Sequence, residues 1–278
     1  MEMQQTISEP VSISGPGLFY GKMVNMTFRP APPDHGVVFQ RTDLPEQPHI
    51  EALVENVTKA DRHTMLRQGS ATIETCEHCM SALHALGVDN VLIEIDSAEL
   101  PALDGSAAPF AELIRSSGLQ RQDKPREIFI VGESVTVRSG NAEITVEPCN
   151  NVFHVVYELD YGESSPLGKQ VYSYTLNAQS YLEEIAPART FSHEHEAKAL
   201  WNHGLCRHLT PADVLVIGPD GPIDNQFRFE KEPARHKILD LIGDFYLFGG
   251  QIQGKVTARR SGHALNHEMV RVLRKYTH

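Results

Sequence analysis

Short alternating runs of apolar and polar residues dominate the first half of the chain. Val11 to Ile13 and Val24 to Phe28 have strand character, separated by the turn-rich stretch Ser14-Gly-Pro-Gly-Leu-Phe-Tyr-Gly21. Val37 to Arg41 and Ala71 to Glu74 alternate in the same way. The period then changes. Over Glu77 to Leu86 the residues Met80, Leu83 and Leu86 recur near helical spacing, and Gly87 supplies a stop. Val91 to Ile95 is a short apolar run expected as a strand. Ser106 to Ser117 carries Phe110, Leu113 and Ile114 at helical spacing, with Gly118 behind it.

Gln120 to Arg126 is polar, contains Pro125 and has no periodicity, which predicts a linker. Strands are expected again near Ile128 to Val137, Glu143 to Glu147 and Val152 to Leu159, then a helix over Ala178 to Ile185. A long irregular region follows, then an apolar strand at Val214 to Ile217 and a helix through Pro233 to Phe248. A strand at Lys255 to Ala258 and a helix over Ala264 to Lys275 close the chain. The pattern predicts an α+β protein of two halves of similar size, domains 1–124 and 125–278.

Composition narrows the functional classes. The chain has 278 residues, is 41% hydrophobic and 22% charged, and carries a formal net charge of −11. Its 36 acidic against 25 basic side chains disfavour nucleic-acid binding, which rewards a basic surface. No apolar stretch approaches the ~20 residues needed to cross a bilayer. Met1 to Pro16 lacks a basic segment followed by an apolar run, so no signal peptide is expected and the cytoplasm is the expected compartment. The four cysteines do not read as a disulfide framework at this length. Cys76-Glu-His-Cys79 has CxxC spacing but no second pair, and reads as two small apolar residues near a site.

Histidine is the unusual residue, at fourteen copies. His193 and His195 sit among charged residues and read as solvated. His236-Lys-Ile-Leu-Asp240 places an imidazole and a carboxylate one turn apart on one helix face, both good metal ligands. The spacing is common, and an ion pair on a solvated face fits it equally. Asp244 follows on the same face, while Ile238, Leu239, Leu241 and Ile242 line the others, so the helix is expected to be buried. Glu77-His78 opens the first long helix: one residue could hold a metal and the other take a proton from water. A favourable Glu in a first helical turn beside an ordinary His explains the pair as well. His263, in Ser261-Gly-His263-Ala-Leu-Asn266, could act as ligand, acid, oxyanion partner or cap. Thr190 and Phe191 sit in a loop that could line a pocket. Asp104 and Ser106 read as turn and cap residues.

Taken in order, these segments resemble the bacterial UDP-3-O-acyl-N-acetylglucosamine deacetylases of lipid A synthesis. The matching pieces are GPGLFYGK near the start, RTDL at 41–44, EHCMSALHALGVDN at 77–90 and LPALDGSAAPF at 100–110. They continue with ARTF at 188–191, GLC at 204–206, NQFRFEKEPARHKILDLIGD at 225–244 and RRSGHALN at 259–266. Each is weak alone, but the ordered set is specific and spans nearly the whole chain. The resemblance implies two domains of like topology, each a layered sheet-and-helix sandwich, with the active site between them. It implies one catalytic Zn2+ held by His78, His236 and Asp240, the fourth position left to water. Glu77 matches the general base. His263 matches the group that stabilises the oxyanion and protonates the leaving amine, and Asp244 the residue that orients it. Thr190 matches an oxyanion-stabilising hydroxyl, Phe191 and Lys237 groups that touch the sugar, and Arg260 a basic position near the diphosphate. The implied partner is a small acylated UDP-amino sugar, and a monomer is expected.

Two departures stand out. The family's early GLH reads Gly17-Leu-Phe19 here. The expected acyl passage, an insertion near 191–217, reads HEHEAKALWNHGLCRHLTP over 193–211 and is polar for that purpose. A relative acting on another N-acyl sugar or amide, and a non-catalytic binding relative, are therefore carried as alternatives. Retention of Glu77, His78, His236, Asp240 and His263 together argues against the second.

Overall fold

The computed structural model describes residues 2–149 and 151–277. Its architecture is α+β, with six α-helices and several sheets among the described residues. The helices are α1 (Glu77–Leu86), α2 (Ala108–Ser116), α3 (Ala178–Glu184), α4 (Glu194–Asn202), α5 (Glu232–Tyr246) and α6 (His263–Arg274).

Two five-stranded paths share one strand order. In the first, Val11–Pro16 pairs with Met23–Pro30, which pairs with Val91–Ile95, all antiparallel. Val91–Ile95 then runs parallel to Val37–Arg41, which pairs antiparallel with His49–Glu51. In the second, Val135–Ser139, Ala142–Glu147, Gln251–Arg259, Phe153–Asp160 and Lys169–Thr175 repeat that order and those directions. A short extra strand, Ile128–Ile130, adds parallel to Gln251–Arg259. In both paths the strand entering last is inserted between earlier ones, directly after a long helix: α1 in the first, α5 in the second. Those two helices pack against each other.

Both are buried on nearly every side, which explains their composition. α1 buries Cys79 through Ala85, and Gly87 (φ 70°) ends it in the left-handed region that a Cβ disfavours. α5 buries Ile238, Leu239, Leu241 and Ile242 completely. The helices touch at Gly243, where a Cβ would lie 2.1 Å from the backbone oxygen of Glu77. Only glycine permits that approach.

Three expectations are corrected. The segment expected as a linker is a strand, Leu119–Pro125, paired antiparallel with Met3–Ile7. It is exposed along most of its length, so it buries too little to show periodicity. The irregular region after α3 contains the parallel strands Phe191–His193 and Leu215–Gly218, with α4 between them. α4 buries only Ala197 and so has no apolar stripe to read. His193 is half-buried rather than solvated: its Nε2 lies 3.0 Å from Ser165 Oγ, and its ring packs on Tyr161.

Candidate metal centre and proton-transfer site

The start of α1 is set by a sharp turn. Strand Ala71–Glu74 ends in Thr75, a β-branched residue held at φ 59°, with its hydroxyl donating to the carbonyl of Glu74 at 2.6 Å. Glu77 and His78 thus stand in the first helical turn, facing α5. His236, Asp240 and Asp244 occupy successive turns of α5, and all three are buried.

His78, His236 and Asp240 converge, with one ligand atom from each lying within 4.8 Å of the others. Asp240 Oδ1 is 3.6 Å from His78 Nε2 and 3.3 Å from His236 Nε2. The imidazole rings meet edge to face, 5.0 Å apart. His236 Nδ1 lies 3.0 Å from the carbonyl of Ala188, which fixes Nδ1 as the protonated nitrogen and leaves the Nε2 lone pair free. Burial pushes the His236 imidazole towards its neutral form, the form that binds a metal. Burial opposes the charge of Asp240, but His236, Lys237 and His78 outweigh it and hold the carboxyl well below the usual range. Lys237 Nζ donates to Asp240 Oδ2 at 2.6 Å, so Oδ1 is the oxygen left facing the histidines. Two imidazoles and a carboxylate, with His236 Nδ1 and Asp240 Oδ2 already occupied, suit a divalent metal of the zinc type.

A second set of groups borders this centre. His263, at the start of α6, places Nε2 3.8 Å from Glu77 Oε1 and 3.9 Å from Asp240 Oδ2. Its Nδ1 donates to Asp244 Oδ2 at 2.8 Å. Burial works against a charged His263, yet Asp244 outweighs it, with Asp240 and Glu77 adding, and the imidazole is raised to about 9. Asp244, fully buried, is held far below the carboxylate range by His263 and His267 against the same burial penalty. A cavity of about 170 Å³ lined by Lys59, His63, His263, His267 and Arg271 opens beside these groups.

The remaining expected residues sit at varying distances. Phe191 places its ring 6.3 Å from that of His236, edge to face. Thr190 lies between Phe191 and the Ala188–Arg189 pair, its backbone N–H donating to Gly105 at 2.7 Å. Arg260 is three residues before His263 and donates from Nε to the carbonyl of Asp160 at 3.0 Å. Asp104 and Ser106 form the expected turn, ahead of a helix whose N-cap is Ala107: Asp104 Oδ1 accepts from the Ser106 hydroxyl at 2.7 Å, and Ser106 Oγ accepts from Ala108 N at 3.2 Å. Cys76 and Cys79 are fully buried, and burial raises both thiols, which matches the apolar reading. Phe19 packs against His63 with the rings tilted, centroids 5.1 Å apart.

Several polar groups at the centre carry no sequence signal of their own. Thr64 donates its hydroxyl to Asp244 Oδ1 at 2.6 Å. Asn266 Nδ2 donates to Asp244 Oδ2 at 2.8 Å, and His267 Nε2 lies 3.1 Å from Oδ1. The i,i+4 spacing of His263 and His267 is the one local hint that both face the same way. The carbonyl of Ala188 has no signature in any sequence.

The profile of the UDP-3-O-acyl N-acetylglycosamine deacetylase family matches residues 4–275. A UDP-3-O-acyl-N-acetylglucosamine deacetylase of Myxococcus xanthus is 39% identical over 274 residues, covering 96% of this chain and 85% of that protein. Proteins of the same description from Syntrophotalea carbinolica and Xanthomonas euvesicatoria pv. vesicatoria are 37% and 40% identical, covering 97% and 98% of this chain and 87% and 90% of theirs. The chain belongs to the UDP-3-O-acyl N-acetylglycosamine deacetylase family.

Proposed function

We propose that this protein is a zinc-dependent amidohydrolase that removes the N-acetyl group of UDP-3-O-acyl-N-acetylglucosamine, giving acetate and the free amine, the committed step of lipid A biosynthesis. The observation that carries this reading is the meeting of His78, His236 and Asp240 beside Glu77 and His263. His78, His236 and Asp240 would hold the zinc, which when bound supplies Lewis acidity to the acetamide carbonyl and lowers the pKa of the attacking water.

The rest of the chemistry falls to side chains. Glu77 Oε2 accepts the backbone N–H of Thr64 at 3.1 Å, so Oε1 is the oxygen left to take a proton from the attacking water. His263, charged through Asp244, directs Nε2–H towards the space between Glu77 and Asp240. There it stabilises the oxyanion and then gives its proton to the departing amine. Thr190 contributes a hydroxyl to the same oxyanion. Phe191, Lys237 and Arg260 meet the sugar and the diphosphate. The acyl chain runs by the unit at 191–217, beside Phe191 and Tyr161, whose rings lie 6.0 Å apart.

The organisation that goes with this reading is a pair of domains, 1–124 and 125–278, acting as a monomer in the cytoplasm. The shared strand order of the two five-stranded paths supports the division. No described helix is long and apolar enough to cross a membrane.

The test is bound zinc and acetate release from UDP-3-O-acyl-N-acetylglucosamine, for wild type and Glu77→Ala. Zinc with release in the wild type, and zinc without release in the variant, is the expected pair. Zinc without release in the wild type would favour a second reading, a relative acting on another N-acyl sugar. Phe19 at the position of the family's early histidine is the observation behind that alternative.

A further inference from the structure

We propose that Thr64 is a positioning residue that fixes the base and the partner of the acid at once. The inference rests on the deacetylase reading for the roles of Glu77 and His263. Thr64 belongs to neither α1 nor α5 and is completely buried. Its backbone N–H donates to Glu77 Oε2 at 3.1 Å, and its hydroxyl donates to Asp244 Oδ1 at 2.6 Å. Its carbonyl lies 3.7 Å from the thiol of Cys76, the residue before Glu77. Its hydroxyl oxygen also lies 3.3 Å from His263 Nδ1 and 3.0 Å from His267 Nε2, so Thr64 touches α1, α5 and α6 together.

The consequence lies in how Asp244 is held. Oδ2 receives His263 Nδ1 and Asn266 Nδ2, while Oδ1 receives the Thr64 hydroxyl and His267 Nε2. A carboxylate with two donors on each oxygen cannot rotate without breaking some of them. Its plane fixes the direction of the His263 Nδ1–H bond, and so the aim of Nε2 across the ring. Asn266, His263 and His267 all come from α6 and move with it. Thr64 is the donor from the other half of the chain, so it ties the carboxylate to the segment that also holds Glu77. The distance between base and acid, 3.8 Å from Glu77 Oε1 to His263 Nε2, is then set through one residue. A buried threonine that merely satisfies the core would need only one such partner.

Thr64→Val keeps the shape and the backbone N–H but removes the hydroxyl, and Thr64→Ser keeps the hydroxyl. The zinc-loaded Val variant is expected to lose about tenfold in kcat with KM unchanged, and the Ser variant to recover most of it. In the metal-free protein, the proton NMR signal of His263 Nδ1–H is expected to change position in Thr64→Val and to return in Thr64→Ser. Wild-type kcat together with an unmoved His263 signal in Thr64→Val overturns the proposal. So does a loss that follows falling zinc content or thermal stability and is not repaired by Thr64→Ser. If the wild type releases no acetate, the deacetylase reading fails, and the His263 signal still decides whether Thr64 positions Asp244 and its imidazole.

Discussion

Gly243 on α5 lies against Glu77 on α1 so closely that a single added carbon would sit 2.1 Å from the Glu77 carbonyl oxygen and 3.1 Å from Ser81 N. The obstacle is backbone on a buried helix, which has no rotamer to yield. Gly243 is also one residue before Asp244 and three after Asp240, so the metal centre and the helix contact share one surface. Gly243→Ala is expected to cost about 3 kcal/mol or more, since the two helices must part. Their separation moves His78 away from His236 and Asp240. Calorimetry and zinc titration together check this: the melting temperature should fall by several degrees and zinc affinity should fall with it. A variant with normal stability and normal affinity would show that α1 and α5 are not held this tightly.

Asp240 serves three neighbours, with Oδ1 towards His78 and His236 and Oδ2 towards Lys237. Asp240→Ala removes a proposed ligand and leaves the half-buried Lys237 cation without its partner. Zinc affinity is expected to fall by at least a hundredfold, and some stability should be lost through Lys237. The double variant Asp240→Ala/Lys237→Met should regain stability but not zinc. Full zinc occupancy in Asp240→Ala, measured by atomic absorption after dialysis, would remove Asp240 from the ligand set.

The sequence reveals elements best where they are buried on a regular period. Strands Val37–Arg41, Ala71–Glu74 and Val91–Ile95 and helix α1 are expected over the same residues that form them, because each turns apolar positions inward and α1 is stopped by Gly87. The ribbon of Met3–Ile7 and Leu119–Pro125 escapes notice because its second strand is almost wholly exposed. α4 escapes because it is held by a capping interaction, Glu196 accepting from the N–H of His193 at 2.9 Å, rather than by an apolar face. The same limit governs the site. His236 and Asp240 are linked by helical spacing. His78 lies far away in sequence and joins them only through the contact of α1 with α5, so it came into view through family resemblance. Thr64 is tied to Asp244 across 180 positions by a single hydrogen bond, and no local pattern can encode that.

His263 predicts how activity should depend on pH. Its imidazole, raised to about 9 mainly because Asp244 outweighs the cost of burial, stays charged through neutral pH. Proton donation to the leaving amine needs that charged form, so kcat is expected to hold to about pH 9 and then fall as the proton is lost. Asp244→Asn removes the largest stabilising charge and leaves burial to act. The alkaline limb should then move down by at least one pH unit, with a large loss of kcat at neutral pH. A full pH–rate profile of both proteins checks this. An alkaline limb at the same place in the variant would mean that another group controls it.

His84 gives the last expectation, and it concerns stability. Its ring is buried on α1, stacks on Tyr246 at 4.6 Å, and has Nδ1 2.9 Å from the carbonyl of Ile242 on α5. Its Nε2 is buried with no hydrogen-bond partner among the described residues, so a second proton has nothing to bind. Burial accordingly pushes the imidazole down from 6.5 to about 4. The unfolded chain takes up a proton below pH 6.5, whereas the folded protein does so only near pH 4. Stability contributed by the neutral ring is therefore complete above pH 6.5 and is lost progressively as the pH falls towards 4, by up to about 3 kcal/mol. Other groups titrate in the same range, so the variant isolates the effect. In His84→Asn the amide can still donate to Ile242 but cannot titrate, and its stability should fall less steeply between pH 6.5 and 4 than that of the wild type. Urea unfolding at half-unit steps of pH measures the two slopes. Equal slopes would show that His84 is protonated as readily inside the protein as outside it, and that the unpartnered nitrogen can reach water.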